Sequence, residues 1–179
     1  MKNILYIFLA VMLLTGCGDI SNTPTKQVEG FFNQYQTLDQ QVLDDLEQVI
    51  SKEEKFDEDN KEKYRDIIKK QYRNLTYYVK EEKVDGDTAT VTAEITVYDF
   101  ATVIADAEDY KNDHIDEFSD ESGNFSQSKY IDYVIDQLDK TKEKVKYTLD
   151  LGLTKIEDKW KLNGLDSDTE DKILGIYEK

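Results

Sequence analysis

The hydrophobic period of the chain switches near its midpoint, and that switch constrains the fold more than any other feature. Leu75, Tyr77 and Val79 alternate with Thr76, Tyr78 and Lys80. Beyond Asp85-Gly86-Asp87, Val91, Ala93, Ile95 and Val97 alternate with Thr92, Glu94, Thr96 and Tyr98. Alternation sends successive side chains to opposite faces of a strand, and an Asp-Gly pair suits a tight turn. Two such runs about one turn predict an antiparallel hairpin with a single apolar face.

Before the hairpin the period is helical. Val28, Phe31, Phe32, Tyr35 and Leu38 recur at three- and four-residue steps, with Thr25 placed to cap this first helix. Val42, Leu43, Leu46, Val49 and Ile50 mark a second helix. After a charged link over residues 51–60, Tyr64, Ile67, Ile68, Gln71 and Tyr72 mark a third. Lys69, Lys70 and Arg73 stand in its last turn, opposite the negative end of the helix dipole. Past the hairpin, Phe100 to Phe118 reads as helical, Ser122-Gly123-Asn124 interrupts, and Ile131, Val134, Ile135 and Leu138 mark a helix from about Ser126 to Glu143. Alternation returns at Val145, Tyr147, Leu149, Leu151 and Leu153. Glu157-Asp158 then turns the chain into a short strand around Trp160 and Leu162, and Asp168 to Tyr177 closes as a short helix. The order predicts an α+β domain. A curved antiparallel sheet of about four strands packs against N-terminal helices, with a helical insert between two hairpins.

The first residues follow a different logic. Lys2 is followed by an unbroken apolar run, Ile4 to Leu14, and then by Thr15, Gly16 and Cys17. A helix needs about 20 apolar residues to span a bilayer, so this run suits a secretion signal instead. Leu14-Thr15-Gly16-Cys17 resembles the bacterial lipobox. That resemblance implies cleavage between Gly16 and Cys17 and a diacylglycerol on the Cys17 sulfur. It divides the chain into a signal peptide (1–16), a lipidated tether (17–25) and a single domain (26–179). It also implies a cell-membrane location on the extracytoplasmic face, with attachment through two or more acyl chains.

Cys17 is the only cysteine, so no intramolecular disulfide is available and stability rests on packing. The net charge is −16, and −17 once Lys2 is removed. Such a surface disfavours nucleic acid, whose recognition needs cations to displace counterions. The expected partners are the membrane, through the lipid on Cys17, and an envelope protein or a small ligand.

The helix-first order, with the Val28, Phe31, Phe32 helix and the closing strands around Leu151 and Trp160, is similar to the nuclear transport factor 2-like and cystatin-like cone folds. Those folds imply a pocket at the open end of the sheet. Phe32, Tyr35, Tyr98 and Trp160 are its candidate lining, and Asp99 its candidate polar group.

Little else points to catalysis. With Cys17 lipidated no thiol nucleophile remains, His114 is the single histidine, and no Gly-x-Ser-x-Gly or phosphate-binding loop occurs. No catalytic residue, metal ligand or cofactor is assigned, and the expectation is a non-enzymatic module. From Asp99 to Asp139 there are twelve acids and two lysines. Asp106, Asp109, Asp113 and Asp116 fall at helical steps, which suits a solvated acidic face, since an intact helix aims its carboxylates outward.

Overall fold

The computed structural model describes residues 22–178; Cys17, the cleavage position and most of the tether lie outside them. Eleven elements follow in order: α1 (Pro24–Thr37), α2 (Gln40–Ser51), α3 (Glu58–Asn74), β1 (Thr76–Asp85), β2 (Thr88–Tyr98), α4 (Phe100–Asp113), a 3-10 turn (Ile115–Phe118), α5 (Gln127–Lys140), β3 (Lys144–Ile156), β4 (Lys159–Leu162) and α6 (Ser167–Leu174). The domain is α+β. The four strands form one open antiparallel sheet in the order β1-β2-β3-β4. Helices α1 to α3 precede the sheet, and α4, the 3-10 turn and α5 form the insert between its two hairpins.

One residue choice at the start departs from the sequence reading. Helix α1 is capped by Thr23, whose side chain accepts from the Lys26 N–H at 3.2 Å, and Pro24 occupies the first turn. Proline belongs there, because its missing N–H would have had no helical partner anyway. Thr25 is thereby freed for another role. Its N–H and hydroxyl donate to one carboxylate oxygen of Glu82, at 2.9 and 2.7 Å, fastening the start of α1 to β1.

The sheet has one dry face and one wet face, as its alternation requires. Val91, Ala93, Ile95 and Val97 of β2 and Leu149, Leu151 and Leu153 of β3 are buried with Trp160. They meet Val28 and Phe32 of α1 and Ile67 and Ile68 of α3 in a single core. On the other face Thr92 donates to Asp150 at 2.6 Å, and Glu94 lies between Lys80 (2.7 Å) and Lys146 (2.9 Å). Lys80 sits at a register shift between Val79 and Glu81, a bulge that breaks the regular edge of β1.

The two hairpin turns differ in chemistry. Gly86, with φ 58°, accommodates the first turn, whereas Glu157 (φ 49°) and Asp158 (φ 61°) hold left-handed conformations without glycine in the second. Asn22 braces that second turn. Its side-chain N–H donates to the Asp158 carbonyl at 2.6 Å, and its side-chain oxygen accepts from the Trp160 N–H at 3.0 Å. The last residues of the expected tether are therefore part of the fold. Asn22 follows Cys17 by five positions, a length that spans at most about 18 Å.

Candidate binding clefts

The residues expected to share one pocket are dispersed. Phe32 is wholly buried and stacks on Tyr77 at 4.7 Å, and Trp160 is buried in the same core. Tyr98 lies at the end of β2, with the Lys70 and Lys144 ammonium groups 5.8 and 5.0 Å from its ring centre. Asp99 caps α4, accepting from the Thr102 N–H (3.1 Å) and hydroxyl (2.9 Å), at the edge of a shallow depression beside Tyr147 and Tyr177. That capping bond explains a carboxylate at a strand end without catalysis. Among these five, only Tyr35 lines a cleft between helices.

That cleft, of about 290 Å³, is assembled from four helices. Tyr35 comes from α1, Asp45, Leu46 and Val49 from α2, Tyr64 and Tyr72 from α3, and Glu170 and Leu174 from α6. Tyr64 and Tyr72 are eight residues apart and so share one face of α3. The Tyr35 and Tyr72 rings stand at 86° with centres 4.8 Å apart, and Tyr64 meets Phe56 edge-on at 5.4 Å. Arg65 of α3 holds α2 in place through a two-pronged contact to Glu47, at 2.5 and 2.9 Å. Burial pushes the Tyr72 hydroxyl far above the ordinary phenol range, reinforced by Tyr35, Tyr64, Asp45 and Glu170 around it. Burial raises Tyr64 and Tyr35 as well, so all three phenols stay neutral through ordinary pH.

A second, more apolar cleft of about 350 Å³ adjoins the first at Val49 and Tyr64. Phe56, Ile104, Tyr130, Val134 and Leu138 form its walls, so the insert supplies much of it. Val49 is 57% exposed and Ile104 37% exposed, so apolar surface here faces solvent.

A third depression, between α3 and α5, carries both signs of charge. Lys63, Asp66 and Lys70 of α3 line it together with Asp132, Asp136 and Asp139 of α5. Lys70 donates to the Asp139 carbonyl at 2.7 Å and its carboxylate at 3.2 Å. Nearby Asn60, 2% exposed, donates to Asp132 at 2.9 Å and leaves its own side-chain oxygen without a partner.

The acidic insert organises around a cluster of rings. His114 stacks on Tyr110 at 4.2 Å, Tyr110 stacks on Tyr133 at 5.0 Å, and Phe118 is buried between Tyr130 and Tyr133. Tyr110 donates to Glu117 at 3.0 Å and Tyr130 to Glu108 at 3.0 Å, so two of the acids serve as acceptors for phenols. Among the described residues no three His, Cys, Asp or Glu side chains converge as a metal site. Among them, too, no helix is long and apolar enough to cross a membrane.

Sequence reading found Tyr35 but missed Asp45, Tyr64, Tyr72 and Glu170 as a group. The spacing of Tyr64 and Tyr72 carried a signal, since it is too regular for a solvated face. Glu170 carried none, because only tertiary packing brings α6 against α3 and so to this cleft.

No family model matches the chain, and no curated protein matches it. Among solved structures, the crystal structure of a "putative lipoprotein (ycdA)" from Bacillus subtilis aligns at 14% identity with a TM-score of 0.44. The match covers 85% of this chain and 47% of that one, so this chain spans about half its length.

Proposed function

We propose that this chain is a lipid-anchored, non-enzymatic binding module on the outer side of a bacterial membrane. The lipobox Leu14-Thr15-Gly16-Cys17 behind the Ile4–Leu14 run supports the anchor. One geometric observation carries the binding role: Asn22, the first described residue, and the tyrosine cleft lie toward opposite ends of α1. Asn22 and Thr25 bind the β3–β4 turn and Glu82, at the turn end of the sheet. At the far end of α1, Gln36 donates to the Leu75 carbonyl at 2.8 Å, and its neighbour Tyr35 enters the tyrosine cleft. Ten residues of helix between Thr25 and Tyr35 amount to about 15 Å. The lipid would thus leave from one end while the clefts open at the other, away from the bilayer.

Two measurements test this. Mass spectrometry of the protein from membrane fractions should show a diacylated Cys17 as the first residue, and Cys17→Ala should abolish membrane retention. Capture from envelope extracts should recover a specific component, and Val49→Lys, which puts a positive charge between the two clefts, should abolish that capture. An unmodified Cys17 in a membrane-free protein ends the first half of the proposal. Capture indifferent to Val49→Lys ends the second.

A second reading keeps the resemblance to the cone folds and makes the chain a small-molecule binder. The tyrosine cleft favours it more than the depression at Asp99, because Asp99 is already committed to its helix cap. The cleft volume of about 290 Å³ lies just below the usual range for small-ligand sites, about 300–1,000 Å³, so the ligand would be a small one.

A further inference from the structure

The tyrosine cleft has a chemistry that the apolar cleft and the depression between α3 and α5 lack, and its carboxylates are not committed to a helix cap as Asp99 is. Among the described residues its wall carries three phenol rings and two carboxylates, Asp45 and Glu170, and no lysine or arginine. The depression between α3 and α5 also holds acids, but Lys63 and Lys70 answer them from the same wall. In the tyrosine cleft no described residue does so. Asp45 accepts from the Gln41 side-chain amide at 2.9 Å, and among the described residues neither Asp45 nor Glu170 pairs with a cation. Tyr35, Tyr64 and Tyr72 are neutral phenols at ordinary pH, and burial moves them further from ionising.

Aromatic faces attract a cation through the ring quadrupole, most strongly when the cation is stripped of water. A metal ion or a bare ammonium resists that stripping, and this wall offers it few oxygens. A quaternary ammonium is large, poorly hydrated and clothed in methyl groups, which suits a wall that also presents Leu46, Val49 and Leu174. We propose that the cleft formed by Tyr35, Tyr64 and Tyr72 with Asp45 and Glu170 binds an organic ammonium ion of the trimethylammonium type. This rests on the reading of the domain as a binding module, and needs neither the lipid nor a particular envelope partner.

The test is calorimetric titration of the purified full chain in a nonionic detergent. The probes are choline, its uncharged carbon analogue 3,3-dimethylbutan-1-ol, and glycerophosphocholine. Choline or glycerophosphocholine should bind about tenfold or more tightly than the neutral alcohol, the ratio expected of a desolvated cation–π site. The double variant Asp45→Asn with Glu170→Gln should remove that preference while melting at the wild-type temperature. Neither substitution touches the buried core, so loss of binding would not be loss of fold. Tyr35→Leu should weaken the ammonium probe more than the alcohol. Preference for glycerophosphocholine over choline would assign a lipid or polymer headgroup as the source, and the reverse a free ammonium compound. Equal affinity for choline and the alcohol, absence of heat with both ammonium probes, or a double variant that binds as wild type would each overturn the proposal. Envelope capture that persists while both ammonium probes stay silent would overturn this assignment alone and leave the binding module standing.

Discussion

Gln71 and Tyr98 exchange two hydrogen bonds, one from each partner. The Gln71 side-chain amide donates to the Tyr98 carbonyl at 3.0 Å, and the Tyr98 N–H donates back to the Gln71 side-chain oxygen at 2.8 Å. The same amide also donates to the Leu174 carbonyl at 2.8 Å. One fully buried side chain of α3 thus ties the end of β2 to the last carbonyl of α6. Gln71→Leu fills the same space but leaves the Tyr98 N–H and carbonyl and the Leu174 carbonyl unanswered. Unsatisfied buried groups cost about 1–3 kcal/mol each, so a loss of about 3 kcal/mol or more is expected in urea unfolding. A loss below about 1 kcal/mol would show that water replaces the amide there.

Gly175 abuts this clasp and Gly30 stands clear of it, so the same substitution should have opposite signs at the two positions. Gly175 follows α6 with φ 78°, and a Cβ there would lie 2.1 Å from the Tyr98 carbonyl oxygen and 2.5 Å from the Gln71 amide nitrogen. Gly30 lies inside α1, and a Cβ there would meet nothing within 4 Å. Gly175→Ala should therefore destabilise by about 2 kcal/mol or more, through strain and displaced hydrogen bonds. Gly30→Ala should stabilise by about 0.5–1 kcal/mol, since alanine restricts the unfolded chain and favours helix. Thermal unfolding of both variants decides it, and a stabilising Gly175→Ala would refute the geometry.

The contrast between those two glycines shows what the sequence carried. Helix α1 and both hairpins were legible because their signals are local: a repeated period, a turn pair, a cap. Even the misplaced cap obeys a local rule, since Thr23-Pro24 is a better helix start than Thr25 once proline is weighed. The clasp and the tyrosine cleft are not local. Gln71 reads as one more position in an apolar stripe, and its partners are 27 and 103 residues away. Asp99 read as a pocket carboxylate because a strand end is where such groups are sought, yet Thr102 three residues on already supplied its partner.

The second hairpin turn holds two non-glycine residues at positive φ, Glu157 and Asp158, where Asn-Gly is the favoured pair. The contact from Asn22 is to the backbone carbonyl of Asp158, so it survives a change of side chain. Replacing the pair by Glu157→Asn with Asp158→Gly should raise stability by about 0.5–1 kcal/mol. Adding Asn22→Ala should remove two bonds, one of them to the Trp160 N–H, and expose that amide to faster hydrogen exchange. If the turn variant melts lower than wild type, the native acids contribute something beyond their backbone shape.

Glu94 offers a pH signature for the wet face of the sheet. Hydrogen bonds from Lys80 and then Lys146 hold its carboxyl well below its ordinary 4.5, at about 2. A depressed folded-state value means that the carboxylate favours the fold above the unfolded value. That contribution disappears as pH falls from about 4.5 through about 2. The side chain is exposed to water, so salt should screen the shift. Carbon-detected NMR titration of the side-chain carboxyl should give a midpoint near 2 at low salt, moving upward as salt is added. Lys80→Met should raise the midpoint, and Lys146→Met should raise it again in the double variant. A midpoint at the ordinary value in the wild type would mean that the Lys80–Glu94–Lys146 contacts do not persist in solution, and the bulge at Lys80 would then need another reason to face this way.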